Sequence, residues 1–206
     1  MRSRWYVAAD AVALTLYTVL QAVLTVRLWG RVSIPVTIVL AVLAAVVMDA
    51  ISGVVHWAAD TWGRQDFPVL GPWLLRPFRE HHRDPQDIVR HGFLERSGNT
   101  CWLAVAALLP CLALPAAAGT FLTFVATFGV ATNNAHAWAH AGPSWAHRLA
   151  WFFLLSPRHH DAHHVPPHTR NYCVLLGLWD PLLNRVFPGL ERLIFRATGA
   201  IPRSDA

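Results

Sequence analysis

The chain has 206 residues, 54% of them hydrophobic and only 14% charged, where a soluble domain carries roughly 25% charged residues. That shortfall points to a membrane protein. The net charge of +5 comes from arginine alone, 17 residues with no lysine, and no basic run interleaves with exposed aromatics, which argues against a nucleic-acid partner.

Using only arginine reads as GC-rich codon usage. Cys101, Cys111 and Cys173 form no CxxC pair, and the first two lie in an apolar run. They read as small core residues rather than a disulfide or a zinc site.

Four stretches are apolar enough to cross a bilayer, which takes roughly 20 residues. The first, 7–28, follows Arg2 and Arg4. It is too long for the apolar core of a signal peptide and has no small-x-small site after it, so it reads as a retained helix. The second is 33–56. The run 101–132 contains Pro110, Pro115 and Gly119 near its middle, where a hairpin would turn. It predicts two short or tilted helices, 100–116 and 118–138. The fold class expected is therefore an all-α membrane protein with about four transmembrane helices and a cytoplasmic His-rich di-metal cap. "WFFLLSP" (151–157) and "YCVLLGLWDPLLNRVFPGL" (172–190) suit interfacial helices or loops. Residues 1–206 read as one domain.

Four spans put both termini and the 57–99 loop on one side. The tail has two arginines, the loop six and the region after 140 seven, while the connection at 27–31 has two and the turn at 115–119 none. The positive-inside rule then makes the large polar regions cytoplasmic, in a bacterial inner membrane.

The 12 histidines avoid the middle of every predicted span and gather on that same side. In "DAISGVVHWAAD", Asp49, Gly53, His56 and Asp60 fall on one helical stripe. His56 and Asp60 can reach one metal. Asp49, deeper in the helix, suits a supporting network more than direct ligation. "NNAHAWAH" puts His136 and His140 at i, i+4, with Asn133 on the same stripe. In "RPFREHHRDPQDIVRHGFLE", adjacent His81 and His82 point about 100° apart on a helix and could serve two metals. Arg76, Arg79, Arg83 and Arg90 around them suit topology or a phospholipid headgroup, and Asp84 and Asp87 could orient imidazoles through the distal N–H. "RHHDAHH" adds His160, His163 and His164 at i, i+3 and i+4, with His159, Asp161 and His168 beside them.

The best-placed candidates are His56, Asp60, His81, His82, His136, His140, His160, His163 and His164. Nine donors exceed what one ion takes, so two metals with open positions fit better. Imidazole with one carboxylate suits iron, zinc or copper. No cysteine joins the clusters, which argues against an iron–sulfur cluster or structural zinc. A haem would use only two axial histidines.

These four motifs, in this order over about 45–190, resemble the Kua/CarF-type lipid desaturases, which include the plasmanylethanolamine desaturases. The wider class of membrane desaturases holds two irons with histidine boxes. His160-x2-His163-His164 matches the last box, and His136-x3-His140 resembles a further element. The first box departs as His56-x3-Asp60, and Phe78 stands where the second would begin, which leaves one ligand place for His91 or His159. His168 would support the site. The resemblance implies oxygen-dependent dehydrogenation of a membrane phospholipid chain. It favours the sn-1 O-alkyl chain becoming a vinyl ether, with an acyl chain as the near alternative. Two iron ions, O2 and an external electron donor, a cytochrome b5-like protein or a ferredoxin, would be required. No GxGxxG follows a strand to hold a nicotinamide or flavin. The competing readings are a membrane zinc lipid hydrolase, which would leave most histidines idle, and a transporter or haem relay. Transport needs ligands near the bilayer midplane, where only Asp49 approaches.

Overall fold

The computed structural model describes residues 4–142, 145, 148 and 155–200. His147 and most of the "WFFLLSP" segment fall outside them. Eight α-helices are used below: α1 (Arg4–Leu28), α2 (Ile34–Thr61), α3 (Arg76–Arg83), α4 (Asp87–Arg90), α5 (Phe93–Leu108), α6 (Ala116–Ala141), α7 (Pro157–Asp161) and α8 (Asp180–Thr198). There is no strand among the described residues.

Among the described residues three helices, α1, α2 and α6, are long and apolar enough to cross a membrane. The run expected as a third span differs. α5 starts at Phe93, inside a polar stretch, and stops at Leu108, where residues Leu109–Leu112 tighten into a 3-10 turn. Pro110 explains the stop, since it has no N–H to donate and its ring clashes with the preceding turn. The polar start is tolerated because its groups find partners. Asn134 Nδ2 donates to Ser97 Oγ at 3.1 Å, and Asn133 Nδ2 donates to the Arg96 carbonyl at 2.7 Å.

The chain divides into two compact units, residues 1–48 with 91–134, and residues 49–90 with 135–206. In the first, Ala13, Leu24, Leu28, Cys101, Leu108, Cys111, Ala126 and Val130 form the core. Cys101 and Cys111 are free and buried there, as small apolar residues. A Cβ on Gly98 would lie 2.1 Å from Asp10 Oδ1, so only glycine lets α1 and α5 approach at this point. A cavity of about 490 Å³ in this unit is lined by residues such as Thr25, Leu28, Trp29, Ile38, Thr123 and Phe124. No histidine or acid lines it.

The second unit has its own core of Trp57, Tyr172, Cys173, Leu183 and Phe187. Trp57 stacks on Phe187 with ring centroids 4.4 Å apart and donates its indole N–H to Glu191 at 2.7 Å. That packing seats α8 on the end of α2. The apolar 172–190 segment is thus a non-helical stretch followed by α8.

Candidate metal centre

Every donor of the centre lies in the second unit. His56 and Asp60 share a face of α2, one turn apart. α3 brings His81 and His82, and its position is set by Arg79. This guanidinium is buried. It donates to the carbonyls of Ala59 at 3.1 Å, Trp62 at 2.6 Å and Gly63 at 3.2 Å. Ala59 belongs to the last turn of α2, where carbonyls have no helical partner, and a cation is favoured there by the helix dipole. Arg79 is therefore no headgroup ligand. It locks α3 to α2.

His136 and His140 project from α6. His160 ends the short α7, and His163 and His164 follow in the next turn. Among the described residues, nine side chains form two donor groups. His81, His136, His140, His160 and His164 form one, and His56, Asp60, His82 and His163 form the other. Within each, the donor atoms lie within 4.8 Å of one another. Adjacent His81 and His82 serve different groups, as their angular offset on a helix allows. The last box is divided the same way, with His160 and His164 in one group and His163 in the other.

In the five-histidine group, Nε2 of His140 lies 3.0 Å from Nε2 of His81 and 3.0 Å from Nε2 of His160, which is 3.0 Å from Nε2 of His164. In the four-donor group, His163 Nε2 is 3.1 Å from His56 Nε2 and 3.2 Å from His82 Nε2. Asp60 Oδ2 approaches His82 Nε2 at 3.2 Å and His56 Nε2 at 3.3 Å, but neither approach has hydrogen-bond geometry.

The far sides of two rings define which nitrogen holds the proton. His56 Nδ1 is 2.8 Å from the Tyr172 carbonyl, and His163 Nδ1 is 2.6 Å from the Arg170 carbonyl. A carbonyl only accepts, so both Nδ1 atoms carry hydrogen and a neutral ring presents a bare lone pair at Nε2. Two such lone pairs at 3.1 Å repel unless a cation stands between them. Ligands about 2.1 Å from one ion would themselves sit roughly 3.0–3.4 Å apart. Among the described residues, neither oxygen of buried Asp60 has a hydrogen-bond partner, and His136 Nε2 has none either. Such orphans require a missing partner. The donor set fits metal.

Burial first, and then the neighbouring imidazoles, hold His81, His160 and His164 well below the usual histidine range. Their rings stay neutral near pH 7, the form that binds metal.

Several expected residues stand elsewhere. His91 Nδ1 pairs with Glu95 Oε2 at 3.0 Å, and His159 Nε2 pairs with buried Asp180 at 2.7 Å. Neither belongs to a donor group. Asp84 and Asp87 bind Arg90, at 2.5 and 2.9 Å, because α3 ends at Arg83 and turns them outward. Arg76 and Arg83 are exposed, as is Asp161. Asn133 serves α5 instead of the donors. Asp49 accepts four backbone N–H bonds in the 176–179 segment. His168 sits at φ 58° and its Nδ1 lies 3.1 Å from the His163 carbonyl, with its ring 4.6 Å from that of His82. The Tyr172 and Arg170 carbonyls carry no sequence signal, since any residue offers a carbonyl. Asp180 was detectable only as an Asp-Pro helix start.

Three membrane-length helices and a buried histidine-rich donor cluster define a helical membrane protein equipped to hold metal. The lipid desaturase domain model matches residues 45–205. A plasmanylethanolamine desaturase of Myxococcus xanthus is 37% identical over 213 residues, covering 96% of this chain and 75% of that one. Plasmanylethanolamine desaturase 1 of Mus musculus is 38% identical, covering 83% and 69%. The chloroplastic fatty acid desaturase 4 of Arabidopsis thaliana is 33% identical, covering 77% and 52%. No solved structure matches. The chain belongs to the lipid desaturase family, and it is an oxidoreductase.

Proposed function

We propose that the chain is an O2-dependent desaturase that converts the sn-1 O-alkyl chain of a plasmanyl phospholipid to the vinyl ether. The observation that carries this reading is the division of nine donors, seven of them buried and His140 and His164 partly so, into groups of five and four. In this reading all nine are ligands of two iron ions. Bound iron would supply the one-electron and O2 chemistry that side chains lack for removing hydrogen from an unactivated C–H bond. Overall, the C1–C2 bond loses two hydrogens, and O2 with two further electrons and two protons leaves as two waters. The electrons come from a cytochrome b5-like protein or a ferredoxin.

The chain's own residues supply placement. Tyr172 and Arg170 carbonyls fix the tautomers of His56 and His163, Arg79 clamps α3, and burial excludes competing water. The identities to plasmanylethanolamine desaturases favour the ether substrate. The plant relative's name keeps acyl-chain desaturation as the second reading.

The topology belongs to the same proposal. α5, about 24 Å long, and the 3-10 turn, about 8 Å, together reach roughly the 30 Å of a bilayer core, so they act as a short fourth span. Both termini and the centre then face the cytoplasm of a bacterial inner membrane, in one catalytic domain. In this reading Arg76, Arg83 and Arg90 would meet a headgroup, and the exposure of all three supports it. On α8, exposed Leu182, Val186 and Leu193 form a stripe flanked by Arg185 and Arg192, the pattern of a helix lying in the interface.

The test couples metal analysis of purified protein with lipidomics of a deletion strain. About two irons per chain and loss of vinyl ethers are expected. Loss of one unsaturated acyl chain would replace the substrate assignment, and one zinc without iron would overturn the reading.

A further inference from the structure

Between α7 and α8, residues 172–179 form a non-helical strap tied to one stripe of α2. At one end the Tyr172 carbonyl accepts from His56 Nδ1 at 2.8 Å. Next, Val174 N–H donates to Ser52 Oγ at 3.1 Å. At the other end the strap closes around Asp49. Its Oδ1 accepts from the N–H groups of Leu176 at 2.7 Å and Gly177 at 3.1 Å, and its Oδ2 from Leu178 at 2.9 Å and Trp179 at 3.3 Å. Asp49, Ser52 and His56 are spaced i, i+3 and i+7, one helical face. Gly53 lies within that face. A Cβ there would stand 2.7 Å from Cys173 Sγ, so the missing side chain is what lets the strap lie flat.

Asp49 is fully buried, and both oxygens are committed to backbone donors. It gathers four N–H groups that no helix or sheet satisfies, which makes it the anchor of the strap. The strap in turn carries the carbonyl that sets the His56 tautomer. We propose that Asp49 is a positioning residue for the four-donor group: it holds the strap so that the Tyr172 carbonyl aims His56 Nε2 at the metal. This rests on reading His56, Asp60, His82 and His163 as metal ligands. Partners that orient a ligand imidazole typically change metal affinity by 10–100-fold.

Asp49→Asn keeps the shape but turns an amide NH2 toward two of the four N–H donors. Ser52→Ala removes one strap bond further along. The test titrates metal-free, detergent-solubilised protein with Co(II) alone and follows its visible absorption, beside lipid turnover and size-exclusion behaviour. Wild type should bind two Co(II) per chain. In Asp49→Asn, one binding event should stay intact while the other weakens 10–100-fold, and Ser52→Ala should weaken that same event by less. His56→Ala identifies the event as the four-donor group. If both variants titrate like wild type while His56→Ala loses an event, the strap has no positioning role and the metal reading stands. If His56→Ala also keeps both events, the metal reading itself falls and this inference with it. Equal weakening of both events in Asp49→Asn would mean general loss of structure and overturn the assignment. Should Asp49→Asn fail to fold, the Ser52→Ala titration decides.

Discussion

His56 Nε2 and His163 Nε2 face each other at 3.1 Å, while the Nδ1 of each ring is held by a backbone carbonyl. Both Nε2 atoms therefore point inward, from residues 107 positions apart in the chain. Neither can turn away without leaving a buried carbonyl and its own N–H unpaired. The two ring nitrogens thus converge on one point, the arrangement that a shared cation would require.

His163→Ala should abolish product and reduce bound metal from about two ions to one per chain, with membrane insertion unchanged. Its neighbours in the five-histidine group remain in place. Wild-type turnover in this variant would remove His163 from the centre.

Arg79→Ala should cost about 3 kcal/mol, because three carbonyls lose a charged donor in a buried place. Arg76→Ala, at an exposed position, should change stability by no more than about 0.5 kcal/mol. Thermal unfolding in detergent compares the two. Equal midpoints would contradict the clamp between α2 and α3. A drop in activity for Arg76→Ala at unchanged stability would instead support its headgroup contact.

Gly53→Ala should destabilise by about 1–3 kcal/mol, since its Cβ would meet Cys173 Sγ at 2.7 Å and Leu183 Cδ1 at 2.8 Å. Removing the sulfur should give part of that back. The double variant Gly53→Ala/Cys173→Ala is expected to be more stable than the sum of the two single changes allows, as contacting residues do not add. Strict additivity would show that the strap does not press on Gly53.

His91→Ala and His159→Ala separate two candidates for the ligand place left open by Phe78. Both should retain two bound metals. His91→Ala should alter stability by less than about 1 kcal/mol, as its Glu95 pair is partly exposed. His159→Ala should cost about 1–3 kcal/mol by leaving a buried Asp180 oxygen unpaired. Loss of one metal from either variant would place that histidine in the centre.

Much of the site was legible in the chain because helical spacing is local. His56 with Asp60 and His136 with His140 are i, i+4 pairs on α2 and α6, and such pairs share a face wherever the helix goes. The apolar spans α1, α2 and α6 were legible for a similar reason, since length and hydropathy suffice. α5 was less so, because its polar start becomes helical only when Asn133 and Asn134 on α6 answer Arg96 and Ser97.

The arginines show the limit most plainly. Arg76, Arg79, Arg83 and Arg90 share one short stretch, yet Arg79 is buried against the end of α2 while Arg90 pairs with Asp84 and Asp87. Residue types able to hold metal, and their local spacing, are written into the chain. How they divide follows from folding, which sends His81 and His82, and likewise His163 and His164, to different groups. It also decided that Asp49, Tyr172 and Arg170 would hold the donors from behind. Those choices depend on backbone carbonyls and N–H groups, which every residue carries and which acquire meaning only when folding brings them within hydrogen-bond reach.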